Sequence, residues 1–167
     1  MKRILDIIGS LFGLLLTSPI LLITIFLIWY EDKKSPFYVS DRVGQKGKIF
    51  KIIKLRSMVI NAHKTGVDST SEKDERITST GKFIRKYKLD ELSQLWNVLL
   101  GDMSLVGPRP NVQNETNLYT KLEKNLLNLK PGITDFSSIV FSDESQILGK
   151  YKDPDLAYNQ LIRPWKS

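Results

Sequence analysis

Residues 88–99 read KLDELSQLWNVL, and this stretch determines how the rest of the chain is interpreted. Its apolar residues recur at spacings of three and four positions, which predicts an amphipathic helix. Two adjacent carboxylates, Asp90 and Glu91, stand at the start of that helix. Acidic residues are common in a first helical turn, because the exposed backbone amides there carry partial positive charge. The pair alone is therefore ordinary helix chemistry, and a further role needs other residues to support it.

Phosphate chemistry would give the two carboxylates such a role. A helix N-terminus keeps a carboxylate ionised and also attracts an incoming phosphate. One carboxylate could then attack phosphorus while the other holds Mg²⁺ against phosphate oxygens. Arg85 and Lys88 are close in the sequence and would offset the repulsion between an anionic nucleophile and an anionic substrate.

Residues 101–110, GDMSLVGPRP, follow the predicted helix and carry an arginine between two prolines. Pro108 and Pro110 restrict the backbone on both sides of Arg109 and so limit the direction of its side chain. On the motif alone, a turn with Arg109 pointing into solvent is the simpler interpretation. The functional alternative is a fixed guanidinium that binds a phosphate or carboxylate with two parallel hydrogen bonds.

The composition indicates an acidic partner and excludes several kinds of catalytic site. The 167 residues fit one domain, or a smaller domain with a membrane element. Their formal net charge of +7 favours nucleic acid, anionic lipid or a phosphorylated substrate as partner. Because the sequence has no cysteine, disulfides, thiol nucleophiles and cysteine metal sites are excluded. The single histidine, His63, argues against a catalytic triad and a histidine-rich zinc site.

Residues 7–30 contain no charged side chain and are long enough to cross the hydrocarbon core of a bilayer as a helix. A cleaved signal peptide is disfavoured, because the apolar run is too long and no small-residue cleavage site follows it. Two interpretations remain: a spanning anchor, and a re-entrant helix hairpin over residues 1–32.

The middle and the ends of this segment favour the hairpin. Pro19 removes a backbone donor, and the Ser18 hydroxyl can re-satisfy a backbone group that the resulting kink releases. Basic residues lie on both sides of the apolar run, among them Lys2, Arg3 and Lys33. A spanning helix would place one basic group outside, against the positive-inside tendency, whereas a returning helix keeps both inside. Proline kinks also occur in spanning helices, so both interpretations stay open.

The rest of the chain predicts a small α+β domain over residues 33–167. Residues 37–39 and 49–55 have the composition of short strands and are joined by a basic, glycine-containing connection, which predicts a β-hairpin. Residues 61–80 are polar and predict a long mobile loop.

Two further helices are expected after that loop. One begins at Asn111, ends at Leu129 and is followed by Pro131 and Gly132. The other is a short basic helix over residues 81–88 that buries three apolar side chains, Phe83, Ile84 and Tyr87.

These motifs stand in an order that resembles one protein family, and the similarity runs from Lys2 to Thr134. In these motifs and their order, the chain resembles the bacterial sugar transferase family, the small monotopic phosphoglycosyl transferases that start glycan assembly on polyprenyl phosphate. The matching residues are Ser18-Pro19, Arg42-Val43-Gly44 with Gly47, 54–58 (KLRSM), 74–78 (DERIT) with Gly81 and Arg85, 89–92 (LDEL), Pro108-Arg109-Pro110 and 131–134 (PGIT).

The resemblance implies a reaction and the residues that perform it. A UDP-sugar would give its sugar 1-phosphate to polyprenyl (undecaprenyl) phosphate, releasing UMP through a covalent phosphosugar–aspartyl intermediate. Asp90 would be the nucleophile, Glu91 with Asp90 would bind Mg²⁺, and Arg109 would neutralise phosphate charge in the transition state. The substrate-binding residues implied by the same motifs are Arg85, Lys54, Arg56, Pro108 and Pro110.

The resemblance also implies where the protein works. Residues 1–32 would form a re-entrant membrane helix, and residues 33–167 would form an interfacial catalytic domain with amphipathic helices. The domain would lie on the cytoplasmic face of the bacterial inner membrane. Anionic membrane lipids are expected partners and a homodimer is a further expectation. Nucleic acid is not an expected partner, because the aromatic residues follow core spacing.

Three features depart from the family pattern. Ser93 stands where proline is common, which should relax the first helical turn only slightly, and Leu55 stands where an aromatic residue is frequent. Relatives are expected to continue for some tens of residues beyond Ser167. The alternative to an enzyme is a non-catalytic, membrane-anchored module that binds anionic lipid through its positive surface.

Overall fold

The computed structural model describes residues 1–62, 74–151 and 153–162. Over these ranges the predicted α+β class is confirmed: a long N-terminal helix lies along a small domain with two short sheets and several short helices. Most of the predicted loop between residues 61 and 80 lies outside the described residues, and so does His63.

Helix α1, Lys2–Asp32, is long and apolar enough to cross a membrane. At 1.5 Å per residue its 31 residues extend about 46 Å, more than the roughly 30 Å of a hydrocarbon core. It is one helix with Pro19 inside, so the predicted hairpin does not take the form of two separate helices. Ser18 acts as predicted: Pro19 cannot donate to the Leu15 carbonyl oxygen, and the Ser18 hydroxyl donates to it instead, at 2.8 Å.

The polar side chains of α1 are satisfied within the protein. The hydroxyls of Ser10, Thr17 and Thr24 each donate to the backbone carbonyl one turn earlier, at 2.6, 2.7 and 2.7 Å. The buried Asp6 carboxylate accepts hydrogen bonds at 3.0 Å from the Ser104 hydroxyl and from the backbone N–H that follows it. An apolar helix can therefore carry these groups without the cost of leaving them unpaired.

The N-terminal end of α1 is bound to the domain. Lys2 Nζ donates to the Val106 carbonyl oxygen at 3.0 Å. The Arg3 guanidinium donates to the carbonyl oxygens of Val98 and Leu99, in the last turn of the helix over residues 95–100. The Val98 oxygen also accepts from the Gly101 N–H at 3.1 Å. The two basic residues that precede the apolar run therefore also attach it to the domain.

The C-terminal end of α1 is bound to the same domain. The Arg56 guanidinium donates to both oxygens of the Asp32 carboxylate, to Oδ1 at 2.7 Å, and to the Ser35 carbonyl oxygen at 2.8 Å. The backbone N–H of Ser79 donates to Glu31 at 3.1 Å. Both ends of the apolar helix thus belong to one folded unit.

One face of α1 packs on the domain and the other is exposed. Leu21 and Ile28 form a hydrophobic core with Leu55 and Ile84. An exposed apolar face of this length is typical of a segment that contacts lipid. Its large exposed side chains include Leu5, Ile8, Phe12, Leu15, Leu22, Ile23, Phe26 and Tyr30.

The predicted β-hairpin is confirmed. Strands β1, Phe37–Val43, and β2, Ile49–Leu55, are antiparallel, and β1 is longer than the predicted 37–39. The connecting turn places Lys46 and Gly47 at positive φ, 57° and 75°. Strand β2 contacts residues 89–94, and this brings residue 54 close to that region.

Helix α2, Ser79–Lys86, begins at Thr78, whose hydroxyl accepts from a backbone N–H in the first turn at 3.0 Å. Ile84 is buried as predicted. The expected burial of Phe83 and Tyr87 is wrong: both side chains are exposed and contact each other, with ring centroids 4.9 Å apart. A helix of eight residues presents one narrow face to the core, and Ile84 occupies it.

The amphipathic helix predicted around residue 90 consists of two elements. A 3-10 helix, Leu89–Gln94, leads into helix α3, Leu95–Leu100. The acidic pair is in the first turn of the 3-10 helix, as the pattern predicted for a helix start. Trp96 shares the three- and four-residue spacing of the apolar residues, but its side chain is exposed.

Strand β3, Ser104–Val106, runs parallel to strand β4, Gly132–Thr134. Two glycines cross directly after β3, because a Cβ on Gly107 would lie 2.3 Å from the Lys130 carbonyl oxygen and one on Gly132 would lie 2.1 Å from the Gly107 nitrogen. This close backbone contact fixes where the Pro-Arg-Pro turn begins.

The predicted helix from Asn111 to Leu129 is wrong. Helix α4, Gln113–Asn117, and a 3-10 helix, Glu123–Asn128, occupy this region. The reason is a second start signal: the Thr120 hydroxyl accepts from the Glu123 N–H at 3.2 Å, and Glu123 accepts from the Thr120 N–H at 2.5 Å. This capping box, T-x-x-E, begins a new helical segment.

The segment after β4 forms a small helical cluster. It contains α5, Phe136–Val140, α6, Glu144–Leu148, α7, Pro154–Ala157, and a π-helical turn, Tyr158–Ile162. The core of this cluster is formed by Leu148, Ala157 and Ile162.

Candidate active site

The 3-10 helix that carries Asp90 and Glu91 and the adjoining helix α3 are both hydrogen-bonded to the backbone of β2. The fully buried Asn97 accepts from the Ile53 N–H at 3.0 Å and donates to the Lys51 carbonyl oxygen at 2.7 Å. The Ser93 hydroxyl donates to the Ile53 carbonyl oxygen at 3.0 Å. These three bonds hold the acidic pair against the strand that carries Lys54.

An ion cluster forms where these elements meet. Lys54 Nζ lies 2.9 Å from Glu91 Oε1, and Arg109 Nη2 lies 3.4 Å from the same oxygen. The side chains of Lys54 and Glu91 are about four-fifths buried, with 19% and 20% of their surface exposed, whereas Arg109 keeps 41%. Arg109 is therefore the member of the cluster that solvent and ligands reach most easily.

Electrostatics keep Glu91 ionised. Burial opposes the charged form, but the neighbouring Lys54 and Arg109 lower the pKa of Glu91 to about 2. Burial and the repulsion of Arg109 lower the pKa of Lys54, and the attraction of Glu91 acts in the other direction. The cluster at neutral pH therefore contains a carboxylate with two cations against it.

Asp90 has a different environment from that of its neighbour. Burial raises the pKa of the Asp90 carboxyl, and so does the Glu91 charge, while Lys54 and Arg85 favour the ionised form. None of the described side chains donates a hydrogen bond to the Asp90 carboxylate. The backbone N–H of Asp90 itself also favours the ionised form. A partly desolvated carboxylate with no donor among the described side chains is well suited to act as a nucleophile.

The backbone around Arg109 is fixed from two sides. The crossing of the two glycines places the turn, and Pro110 is buried. The Arg109 N–H donates at 3.2 Å to Asp135, whose other oxygen accepts from the Ser138 N–H and begins α5. Burial acts against ionisation of Asp135, but its backbone and side-chain hydrogen bonds lower its pKa.

The acidic pair has carboxylate oxygens that could hold a magnesium ion. Glu91 Oε1 is used by the two cations, while Glu91 Oε2 and both Asp90 oxygens accept no side-chain hydrogen bond in the described part of the chain. Groups of three or more metal-binding side chains are absent from the described ranges. Mg²⁺ commonly binds one or two carboxylates and completes its octahedron with water and substrate phosphates, so two carboxylates are enough.

The sequence profile of the family described as "Bacterial sugar transferase" matches residues 1–166. The chain belongs to the bacterial sugar transferase family. Named relatives agree: this chain is 39% identical over 139 residues to the sugar transferase EpsL of Bacillus subtilis, covering 83% of this chain and 68% of EpsL.

Longer relatives of the sugar transferase family match the same region. An undecaprenyl-phosphate galactose phosphotransferase of Salmonella typhimurium is 40% identical over an aligned length of 152, and the match covers 80% of this chain and 31% of that protein. A UDP-glucose:undecaprenyl-phosphate glucose-1-phosphate transferase of Klebsiella pneumoniae is 37% identical over an aligned length of 171, and the match covers 98% of this chain and 36% of that protein. The chain thus spans about a third of the length of these two relatives.

The structure brings some of the predicted site residues together and leaves others apart. Glu91, Lys54 and Arg109 are in contact, with Asp90 beside them, and Arg85 is close enough to act on the charge of Asp90. Arg56 lies outside this cluster, because its guanidinium is bound to Asp32 at the end of α1. The substrate-binding role of Arg56 stays a prediction, and its observed contact attaches the end of α1 to the domain.

Pro108 and Pro110 flank Arg109 as the motif predicted, and Pro108 also lines a cleft next to the ion cluster. No sequence pattern indicates this shallow cleft, since its walls come from the end of the hairpin and from residues 108–131.

Sequence reasoning missed three residues that position the site. Asn97 and Ser93 bind backbone groups some 40 positions away, and no local pattern signals such contacts. Asp135 could have been found, because Asp is one of the preferred residues at a helix N-cap.

Proposed function

We propose that this protein transfers a sugar 1-phosphate from a UDP-sugar to undecaprenyl phosphate and releases UMP, as the names of its relatives indicate for them. The observation that carries the proposal is the placement of Asp90 beside the Glu91–Lys54–Arg109 ion cluster, on a domain bound along an apolar helix. The arrangement suits displacement at phosphorus close to a bilayer surface.

The proposed reaction proceeds by two displacements. A carboxylate oxygen of Asp90 attacks the β-phosphorus of the UDP-sugar; an aspartyl–phosphorus bond forms, the bond to UMP breaks, and UMP leaves with the electron pair. An oxygen of the lipid phosphate then attacks the same phosphorus, which breaks the aspartyl bond and regenerates the carboxylate. The product is a lipid diphosphate sugar, and each step releases one anionic leaving group.

Cationic side chains supply the charge balance of both steps. Arg109 is the most exposed member of the cluster and binds the diphosphate, while Lys54 holds Glu91 in place. Arg85 reduces the repulsion between Asp90 and the incoming anion. Glu91 and Asp90 would hold Mg²⁺, which neutralises phosphate charge when bound.

The acceptor would reach the site from the membrane. Both ends of α1 are bound to one domain, which supports a re-entrant or in-plane arrangement. The basic residues at both ends, Lys2, Arg3 and Lys33, favour the cytoplasmic face for the domain. Trp29, Tyr30 and Lys33 lie together at the C-terminal end of α1, with Lys33 Nζ 4.1 Å from both ring centroids. Aromatic and basic residues of this kind are characteristic of the membrane–water boundary.

UMP release by the purified, detergent-solubilised protein tests the proposal. With a panel of UDP-sugars, undecaprenyl phosphate and Mg²⁺, Asp90→Asn should lose at least about 10³-fold in rate, because the nucleophile is removed. Glu91→Gln should chiefly weaken the dependence on Mg²⁺. Asp41→Asn, an exposed acid on β1, is the matched control and should keep full activity.

Mass spectrometry provides the second measurement. Protein quenched during turnover should carry a sugar-phosphate adduct on Asp90. Normal UMP release by Asp90→Asn would reject Asp90 as the nucleophile. Binding to anionic vesicles without UMP release from any UDP-sugar would favour the non-catalytic lipid-binding module instead.

A further inference from the structure

The first two turns of α1 bind every residue of the three-residue strand β3. The Ser104 hydroxyl lies 3.0 Å from both oxygens of the Asp6 carboxylate, and the Leu105 N–H donates to Asp6 Oδ1 at 3.0 Å. Lys2 Nζ donates to the carbonyl oxygen of Val106 at 3.0 Å. The position of β3 is therefore set by the membrane helix as well as by the partner strand β4.

Asp6 is an unusual residue for this buried place, and its chemistry indicates what it provides. The residue is 5% exposed, and none of the described lysines and arginines forms an ion pair with it. Replacing a buried hydrogen-bonded pair by apolar groups of the same shape is often nearly neutral for stability. The carboxylate instead provides direction, because two donors from neighbouring residues of β3 converge on it. The helix backbone is also close to the strand, since a Cβ on Gly9 would lie 2.8 Å from Leu105 Cδ1.

Only Gly107 and Pro108 separate β3 from Arg109, and both are held by hydrogen bonds. The Gly107 N–H donates to the Thr134 carbonyl oxygen at 3.0 Å, and the Pro108 carbonyl oxygen accepts from the Gly132 N–H at 2.9 Å. The proline ring also fixes one backbone torsion. Because so few torsions are free, a shift of β3 along α1 is passed on to the backbone of Arg109.

The side chain of Arg109 depends on that backbone position. Its contact with Glu91 is 3.4 Å long, and 41% of its side chain is exposed, so the ion pair alone holds it weakly. A misplacement of about 1 Å in a group that acts on the reacting atoms can cost about 10²-fold in rate. The reach of Arg109 to a phosphate is therefore sensitive to the position of the strand before it.

We infer that Asp6 is a positioning residue: through Ser104 and β3 it sets the place of Arg109 beside the acidic pair. This inference rests on the proposed function, in which Arg109 binds the diphosphate, and adds to it a residue of the membrane helix that acts on the reaction. The seating of α1 on the domain and the competence of the site are thereby coupled.

A double-mutant cycle on UMP release by the full chain in detergent tests the inference. Asp6→Leu leaves the Ser104 hydroxyl and the Leu105 N–H without their acceptor and should lower kcat/KM at least tenfold. Arg109→Gln should lower it by about 10²-fold or more, because a cationic donor to phosphate is removed. With Arg109→Gln already present, Asp6→Leu should cost less than about twofold, since it acts through a side chain that is no longer there. An equal loss in both backgrounds would show a general structural role and overturn the inference.

The matched control is Thr24→Val, a change of similar shape at another buried polar residue of α1. The Thr24 hydroxyl donates to the Ile20 carbonyl oxygen, so its bond stays within the helix, and the variant should keep the wild-type rate. Asp6→Asn should restore most of the activity lost in Asp6→Leu, because its Oδ1 can accept from the Leu105 N–H and its amide can donate to the Ser104 oxygen.

Two further arms keep the test decisive. If Asp6→Leu fails to fold, Ser104→Ala removes one of the two donors and should lower kcat/KM at least threefold with the same dependence on Arg109. If Arg109→Gln has no measurable rate, the same cycle is read from the affinity for UDP with Mg²⁺, measured by calorimetry. Wild-type rates in folded Asp6→Leu or Ser104→Ala would overturn this inference alone. A wild type that releases no UMP from any UDP-sugar would overturn the proposed function itself.

Discussion

Lys54 and Glu91 are 37 positions apart in the sequence, and their contact gives the candidate site much of its charge balance. The sequence predicted that Asp90, Glu91 and Arg109 matter, because they stand in recognisable motifs. Which of them touch could not be predicted, since the contacts depend on how β2, the 3-10 helix and the Pro-Arg-Pro turn pack. Glu91 therefore has a role that its motif does not reveal: it joins two cations from distant segments.

Replacing Lys54 by glutamine tests this role. Lys54→Gln leaves Glu91 paired only with Arg109, so the free energy of unfolding should fall by about 1–3 kcal/mol, and UMP release should fall with it. Lys54→Arg should restore part of both. Denaturant titration in detergent and the UMP assay measure the two effects.

Lys51→Gln is the matched control for that experiment, because Lys51 is on the same strand. Its pair with Asp41 is 2.7 Å long but has side chains 68% and 59% exposed, so its loss should cost less than about 1 kcal/mol. Equal losses for the two variants would contradict a special role for Lys54.

At the level of elements, two side chains take the place of a neighbouring strand beside β2. Asn97 and Ser93 supply the hydrogen bonds that another strand would give to β2. The Ser93 bond also gives meaning to a departure from the family pattern, since a proline there has no side-chain donor for the Ile53 carbonyl. Compared with proline, serine at position 93 leaves the backbone less restricted but adds a hydrogen bond to β2.

Asn97→Leu should be strongly destabilising. Leucine has a similar volume but leaves the Ile53 N–H and the Lys51 carbonyl oxygen unpaired in a buried place, at about 1–3 kcal/mol for each group. The exposed Asn114 of α4 is the control, and Asn114→Leu should change stability by less than about 0.5 kcal/mol. Thermal unfolding followed by circular dichroism measures both. A stability of Asn97→Leu equal to that of the control would show that these bonds contribute little.

Element boundaries were predictable only where a local signal dominated. The hairpin was found because its strands and glycine-containing turn agree. The long helix to Leu129 was predicted wrongly because the T-x-x-E signal at Thr120 was overlooked. Residues 89–94 form a 3-10 helix in which Leu89 and Leu92 pack against the hydrophobic core at α1. Sequence periodicity does not distinguish this 3-10 helix from an α-helix.

At the level of the whole molecule, the attachment of both ends of α1 to one domain is the feature with the largest functional consequence. Composition predicted an apolar helix but left its topology open. The topology is constrained by contacts between residues about 100 positions apart, and no sequence pattern indicates such contacts.

Cysteine accessibility tests the topology. The chain has no native cysteine, so Lys2→Cys and Lys34→Cys each provide one reactive thiol. An impermeant maleimide should label both in inverted membrane vesicles and neither in intact spheroplasts, because the proposed topology places both ends on the cytoplasmic side. Detergent-solubilised protein provides the control for full reactivity. Labelling of the two positions from opposite sides would establish a spanning helix.

The bonds of Lys2 and Arg3 to residues 98–106 also constrain how the protein is made. At a translation rate of about 5–20 residues per second, the ribosome needs roughly 5–20 s to produce the partners of a helix that has already emerged. During that interval a segment this apolar is more stable in the hydrocarbon core of a bilayer than in water. We therefore expect biogenesis to follow a fixed order, in which the bilayer receives the first helix and the later-synthesised part folds onto a helix that is already embedded.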